Sequence, residues 1–249
     1  TAKYGTICNA YNAGKVNAGT YVGGIVGAGE RVTLQNVWNA GEIRGGGDGR
    51  DAFIGGIAGA MKNSTVQNAL HTGTVARNDQ PSQDEAQTVG GIVGQTDGGT
   101  VSHAVWKAGS VKDGSGALIR KGVGKTQGNF TVTDVKERSL DDMKKAATYA
   151  EWGNDVATEG GKRTPWRIYD GKTMPLLTAF LKTKHLANRE KVYDGTAPTI
   201  AGGDHISLDA QKNVGTYHAY SEQYDIIGGK YKITPKELAL SFTSRARFS

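Results

Sequence analysis

An aliphatic–glycine box, Val22-Gly23-Gly24-Ile25-Val26-Gly27, recurs as Ile54-Gly55-Gly56-Ile57-Ala58-Gly59 and as Val89-Gly90-Gly91-Ile92-Val93-Gly94. The starts of successive boxes lie 32 and 35 residues apart. A period of this size is typical of stacked supersecondary units, none of which can bury its apolar face alone. The boxes therefore predict a chain built from successive coils that pack on one another.

A second phrase follows each box, and a further copy of it precedes the first box. The copies are Asn9-Ala10-Tyr11-Asn12-Ala13-Gly14, Asn36-Val37-Trp38-Asn39-Ala40-Gly41, Asn68-Ala69-Leu70-His71-Thr72-Gly73 and Ala104-Val105-Trp106-Lys107-Ala108-Gly109. Val- and Thr-rich stretches precede the later phrases, which favours short β-strands between turns of Gly, Asn and Asp. We therefore expect a mainly β chain in which residues 1–135 form a parallel β-solenoid, or β-helix, with a variable loop in each coil.

The composition changes after the repeats, because 27 of the 37 glycines lie within residues 1–135. We predict a capping segment over 136–180, in which Ser139 caps a short helix. Its Trp- and Leu-rich part is suited to closing the open end of the solenoid. A polar linker is expected over 181–190, followed by a small β-rich, β-grasp-like module over 191–249.

Charge and hydropathy exclude several classes of partner. The net charge of +6 is spread along the chain, and no basic run alternates with aromatic residues, so we expect no nucleic-acid partner. No apolar run approaches the length of a membrane span, so no transmembrane segment is expected. The chain begins at Thr1 without a signal segment, which suggests a piece of a longer protein. Cys8 is the single cysteine and is expected to be a small buried hydrophobe.

The repeats and the following segments resemble known elements of bacterial surface proteins. The boxes and Asn phrases resemble glycine-rich GLUG repeats, and Trp166-Arg167-Ile168-Tyr169-Asp170-Gly171 with Pro175-Leu176-Leu177 resembles the segment that ends such arrays. Lys191-Val192-Tyr193-Asp194-Gly195-Thr196, with Lys212–Tyr217 and Ile233–Leu238, is similar to the YDG, or MBG-type, module. These elements in this order resemble the exoproteins of two-partner secretion, the filamentous-haemagglutinin-like adhesins.

The resemblance implies a non-catalytic protein that is secreted or held at the bacterial cell surface. It further implies a role in cell adhesion or biofilm attachment. The implied partners are a host-cell glycan or protein, or a biofilm-matrix polysaccharide, and an outer-membrane transporter for the full-length protein.

One position of the phrase carries large side chains, namely Tyr11, Trp38, Leu70 and Trp106. Facing inward they would fill a narrow coil, and this is the favoured expectation. Facing outward they would form an aromatic stripe able to pack on sugar rings. Tyr11, Trp38 and Trp106 are therefore the candidate ligand contacts. At a neighbouring position, Asn9, Asn36 and Asn68 are predicted to hydrogen-bond from coil to coil.

No cofactor is expected. A calcium-binding nonapeptide pattern at 46–53 occurs once, whereas such sites need tandem copies, so Asp48 and Asp51 are a weak calcium candidate. The histidines lack metal-ligand spacing, and His71 is expected to be exposed because its position tolerates several polar residues. Asn63 and Asn129 begin sequons and are candidate glycosylation sites.

Two other functions remain alternatives. A carbohydrate-active enzyme built on a β-solenoid would need two carboxylates at a fixed separation on one wall. A small-ligand or haem-capturing module would show a pocket near His205 or His218. The sequence contains no Gly-x-Ser-x-Gly elbow, and we expect no catalytic residues.

Overall fold

The structure is a computed structural model that describes residues 1–46, 52–78, 88–200 and 205–237. Strands hold 55% of the residues and helical segments 8%. The predictions of a mainly β chain, of parallel sheets and of a short helix are confirmed. The chain divides into two compact units, Thr1–Leu181 and Lys182–Ser249, which are described separately. Among the described residues, every helix is too short and too polar to cross a membrane.

The described part of the first unit contains strands β1 to β15. They are β1 Ala2–Asn12, β2 Val16–Ala18, β3 Tyr21–Gly23, β4 Val26–Asn39, β5 Ile43–Gly45, β6 Phe53–Gly55, β7 Ala58–His71, β8 Val75–Arg77, β9 Val89–Gly90, β10 Val93–Lys107, β11 Val111–Lys112, β12 Val123–Arg138, β13 Val156–Ala157, β14 Trp166–Arg167 and β15 Leu176–Leu177.

Successive repeats add their strands to three parallel sheets in a fixed order. The first sheet has the strand order β1-β4-β7-β10-β12, the second β2-β5-β8-β11 and the third β3-β6-β9. The ladders join each repeat only to its neighbours, with Leu34 opposite Ile7 on one side and Val66 on the other. None of these sheets closes on itself, so each keeps two edge strands.

The long strands of the first sheet bend at a column of residues in the left-handed backbone region. Their φ angles are 52° at Asn9, 54° at Asn36, 52° at Asn68, 51° at His103 and 53° at Asp134. This region is unfavourable for residues with a β-carbon, and Asn and Asp tolerate it best. The bend changes which residues of the strand face the interior. Val32 and Leu34, two residues apart, are buried before Asn36, whereas Val37 is buried directly after it.

A second left-handed column lies five residues earlier in the first four long strands, at Tyr4, Arg31, Asn63 and Gly98, and six residues earlier in β12, at Gly128. The two columns divide each long strand into three straight parts. The amide interaction predicted for Asn9, Asn36 and Asn68 is present for one pair, since Asn68 Nδ2 donates to Asn36 Oδ1 at 3.1 Å, whereas no amide hydrogen bond joins Asn9 to Asn36. Asn at this position therefore has two roles: it tolerates the left-handed backbone conformation, and its side chain can hydrogen-bond to the neighbouring repeat.

The interior between the sheets is filled by aliphatic side chains stacked in columns, among them Leu34, Val66 and Val101. Ile7 of β1 belongs to this interior, whereas the next residue, Cys8, points to the opposite face and is exposed. The expectation that Cys8 is buried is wrong, because a side chain in a strand alternates with its neighbours.

The second glycine of each box lies directly against a side chain of the phrase. A β-carbon at Gly24 would lie 2.3 Å from Asn39 Cγ, and one at Gly56 would lie 2.4 Å from His71 Cγ. A β-carbon at Gly91 would likewise lie 2.6 Å from Trp106 Cγ. Box and phrase recur together because the glycine leaves the space that the phrase side chain occupies.

The register corrects the position expected for Trp106. Trp106 pairs with His71, and Val105 pairs with Leu70. The last repeat has one more residue between its bend, His103, and its phrase glycine, Gly109, than the earlier repeats have. The interpretation that Trp106 shares a position with Tyr11, Trp38 and Leu70 is therefore wrong.

Residues 139–181, here called the flanking segment, follow the last long strand. Ser139 caps helix α1 (Leu140–Met143) as predicted, since Asp142 N donates to Ser139 Oγ at 3.1 Å. The segment continues through 3₁₀ turns at Ala146–Asp155 and Thr178–Phe180 and through the three-stranded sheet β13-β14-β15.

The flanking segment packs on the outer face of the first sheet. Its apolar side chains cover Leu70 and Val105, which point away from the interior, and the cluster comprises Leu70, Val105, Met143, Tyr149, Trp152, Trp166, Ile168 and Leu177. Phe130 and Val132 of the last long strand stay 40% and 43% exposed. The expectation that this segment closes the end of the stack is wrong, because the segment covers the apolar side chains on the outer face of the first sheet.

The second unit is described by strands β16 Lys182–Leu186, β17 Arg189–Val192, β18 Gly215–His218, β19 Tyr224–Gly228 and β20 Lys230–Thr234. β16 pairs with β19 in parallel, and β20 lies between β17, which is parallel to it, and β18, which is antiparallel. Most of the expected linker over 181–190 is therefore strand, because 182–186 pair with 224–228. Ile226, Tyr231 and Ile233 are buried.

The first prediction concerns the box glycines. Replacing Gly55 with Ala would place a β-carbon 2.1 Å from Ala58 O and 2.7 Å from Gly94 N. These are backbone atoms of stacked repeats and cannot rotate away, so we expect the free energy of unfolding to fall by about 3 kcal/mol. Urea unfolding followed by circular dichroism measures the change.

Gly5 provides the matched control, because nothing lies within 4 Å of a β-carbon built there. Gly5→Ala should change the free energy of unfolding by less than about 0.5 kcal/mol. Equal stability of the Gly55→Ala and Gly5→Ala proteins would contradict the close packing of the repeats.

Candidate functional site

Three aromatic side chains meet on the surface of the first unit and form the aromatic cluster, defined as Tyr11, Trp38 and Phe180. The ring centroids of Tyr11 and Trp38 lie 4.7 Å apart, and those of Tyr11 and Phe180 lie 6.3 Å apart. Tyr11 is 44% exposed and Phe180 60%, while Trp38 is half-buried. The cluster presents contiguous aromatic surface to solvent.

The fold explains where the cluster lies. Tyr11, Trp38, Leu70 and Val105 form the outward column of the first sheet. The flanking segment buries Leu70 and Val105 completely but leaves the Tyr11 end of the column open. Phe180 arrives from the last turn of the flanking segment.

The orientation of the column corrects the favoured expectation that its members face inward. Tyr11 and Trp38 lie on the outward face, as the alternative proposed. Trp106 belongs to the inward column and is 3% exposed, so it is not available as a ligand contact. Phe180 was not identified from the sequence, since its neighbours come from a distant part of the chain.

The aromatic cluster has the features of a contact surface for sugar rings. Trp38 Nε1 donates to Thr72 Oγ1 at 3.0 Å, which fixes the indole plane. Preordered rings lose little conformational entropy on binding, and an aromatic ring combines a large apolar face with a polar edge. The Tyr11 hydroxyl lies on a half-exposed side chain, where it can hydrogen-bond to a bound hydroxyl group.

His71 has a structural position in the interior. It is fully buried above Gly56, and its Nδ1 lies 3.2 Å from both Asn39 Nδ2 and Asn39 O. Burial lowers the pKa of His71 from 6.5 to about 4, so the ring is neutral at pH 7. The expectation that His71 is exposed is wrong, because its column faces the interior.

The described residues contain no cluster of three or more His, Cys, Asp or Glu side chains able to hold a metal ion. Asp48 and Asp51, the weak calcium candidate, lie outside the described residues.

The two sequons differ in accessibility. Asn63 is exposed at a bend, but Ser64 is buried, donating its hydroxyl to Lys62 O at 2.7 Å and accepting from Val32 N at 3.0 Å. Asn129 and Thr131 are both exposed on β12. In the folded chain Asn129 is therefore the more accessible of the two candidate acceptors.

The second unit carries an open groove of about 470 Å³ at His218, whereas His205 does not line it. Its lining is polar and charged, consisting of Asn188, Arg189, Glu190, Thr216, His218, Lys230 and Lys232. Small-molecule pockets are mostly apolar and enclose their ligand, so this groove does not have the character of a haem pocket.

Comparison with known protein families, with characterised proteins and with solved structures gives no match to this chain.

The second prediction follows from the buried neutral His71. The unfolded chain takes up a proton on His71 below its ordinary pKa of 6.5, whereas the folded chain does so only near pH 4. The contribution of neutral His71 to the free energy of unfolding is therefore fully present above pH 6.5. It is lost as the pH drops towards 4, and the total loss is about 3 kcal/mol. Urea unfolding at pH 7 and at pH 4.5 measures the loss.

His71→Asn is the matched variant, because Asn12 and Asn39 occupy the same column. The variant should lose about 2 kcal/mol less stability than the natural chain between the two pH values. Carboxylates titrate equally in both proteins, so equal losses would show that His71 is not the group responsible.

Proposed function

We propose that the chain is a non-catalytic structural and adhesive segment of an exported bacterial surface protein. In this proposal the first unit is a β-solenoid shaft that presents the aromatic cluster to a glycan of a host cell or of the biofilm matrix. The resemblance of the repeats and of the YDG-like residues to two-partner-secretion adhesins supports the secreted or cell-surface location. It also supports an outer-membrane transporter as the partner of the full-length protein.

The order of the strands supports the solenoid. Each repeat adds strands to the same three parallel sheets, and hydrogen bonds run from one repeat to the next. Neighbouring strands lie about 4.8 Å apart, so repeats of this kind extend a shaft by that distance each. A stack of this kind gains its stability from contacts between neighbouring repeats, which suits a rigid spacer.

The aromatic cluster is the observation that carries the adhesive role. Three contiguous rings, two of them 44% and 60% exposed, lie side by side, with Tyr11 and Trp38 on the parallel sheet and Phe180 on the adjoining turn. Exposed apolar surface on an ordered scaffold marks an interaction site. A glycan fits this surface because the carbon face of a sugar ring can pack on aromatic rings while its hydroxyl groups remain in water.

The third prediction tests this proposal on the full chain with an array of neutral host-type glycans and neutral matrix polysaccharides. Phe180→Ala removes the most exposed ring and should weaken binding at least about tenfold, which corresponds to about 1.4 kcal/mol. Trp38→Ala should weaken the same glycans at least as strongly.

Tyr4→Ala is the control, since Tyr4 is 66% exposed on the first unit but is not part of the aromatic cluster. It should bind as the natural chain does, and thermal unfolding should show that all the variants are folded. Absence of binding to every glycan, or unchanged binding by the Phe180→Ala protein, would refute the role of the aromatic cluster.

A further inference from the structure

We propose that the groove of the second unit binds an acidic polysaccharide, through the cations of its central strand. This inference names a contact separate from the aromatic cluster. The inference rests on the proposed adhesive function in one respect, the choice of a polysaccharide as the class of partner.

The groove is built by the alternation of β20. Lys230 and Lys232 point outward, whereas Tyr231 and Ile233 between and after them are 4% and 1% exposed. Residues of one face repeat about every 6.8 Å along a strand, so the two lysines form a short row of charge. The sequence Lys-Tyr-Lys-Ile places this row on the solvent face.

The neighbouring strands add polar groups on both sides of the lysine row. Opposite β20, Thr216 pairs with Lys232 and His218 with Lys230 on β18, while Glu190 pairs with Lys232 on β17. Asn188 Oδ1 accepts from Lys230 N at 3.0 Å. The groove floor is thus held by strand pairing rather than by a loop.

The charges in the groove do not cancel. Its lining contains the cations Arg189, Lys230 and Lys232 but one carboxylate, that of Glu190. Glu190 Oε1 lies 3.2 Å from Lys232 Nζ. Among the described residues no carboxylate lies within ion-pair distance of Arg189 or Lys230. The groove therefore keeps an excess of positive charge, which attracts a polyanion.

The uncharged lining favours an acidic polysaccharide over a nucleic acid. Asn188 and Thr216 carry hydrogen-bonding groups suited to sugar hydroxyls, and the described lining contains no Phe, Tyr or Trp side chain. Single-stranded nucleic acids need aromatic rings on which bases stack. The groove is open to solvent, so it does not need to enclose its ligand.

The fourth prediction compares polygalacturonate with its methyl-esterified form, which has the same sugar chain without the charge. Biolayer interferometry with the full chain should show binding to the acidic polymer that weakens as the salt concentration rises. The esterified polymer should not bind. The double variant Lys230→Ala/Lys232→Ala should weaken binding to polygalacturonate at least about tenfold.

The control is the double variant Lys3→Ala/Lys112→Ala, which removes the same net charge from exposed lysines of the first unit. It should bind polygalacturonate as the natural chain does. Glu190→Gln, which keeps the shape of the groove, should bind a few-fold more tightly than the natural chain. This gain keeps the test informative if the double lysine variant fails to fold.

Equal weakening by the two double variants would overturn the proposal, because attraction would then depend on the overall charge alone. Equal affinity for a single-stranded DNA of the same length would overturn the choice of partner. Phe180→Ala should leave polygalacturonate binding unchanged. The lysine variants should leave binding of neutral glycans unchanged, so failure of one proposal is distinguishable from failure of the other.

Discussion

The contact between a glycine of each box and one side chain of each phrase determines the width of the repeat interior. Gly24, Gly56 and Gly91 meet Asn39, His71 and Trp106 at distances that leave no space for a β-carbon. The partners differ greatly in size, yet the glycine is the same in each repeat. The backbone is therefore held at a fixed separation, and the phrase side chain adapts to what remains.

The buried amide of Asn39 in this inward column is accommodated by hydrogen bonds. Asn39 Nδ2 donates to Gly56 O at 2.8 Å, and Asn39 Oδ1 accepts from Asn12 Nδ2 at 2.8 Å and from Gly41 N at 3.0 Å. A buried amide is inexpensive only when its partners are present. The column thus changes from a hydrogen-bonded amide to an indole, while the box glycine opposite it stays the same.

Part of this fold was predictable because it depends on local chemistry. The glycine period indicated stacked repeats, Val and Thr indicated strands, and Ser139 before Asp141 and Asp142 indicated the short helix. Asn at the bends was recognised for its amide, although its second role, a left-handed backbone, was not.

Whether the aromatic column points inward or outward could not be predicted from the sequence. The answer depends on which phrase side chain fills the space beside each box glycine. One additional residue between Trp106 and Gly109 means that an alignment on the phrase glycines assigns Trp106 to the wrong column, and the sequence pattern contains no signal for this insertion. Phe180 and the groove required long-range pairing. Lys230 and Lys232 alternate visibly with apolar residues, but their neighbours on β17 and β18 follow only from the strand register.

The flanking segment contacts four successive long strands, beginning with β1, where Phe180 packs on Tyr11. Trp166 Nε1 donates to Asn36 Oδ1 of β4 at 3.0 Å, and Asp155 accepts from Asn68 of β7 at 2.6 Å. Its apolar side chains also contact Leu70 of β7 and Val105 of β10. An array joined only through adjacent repeats can fray from its ends one repeat at a time. Contacts of one segment with four successive long strands couple the melting of their repeats, so these repeats unfold as one cooperative block.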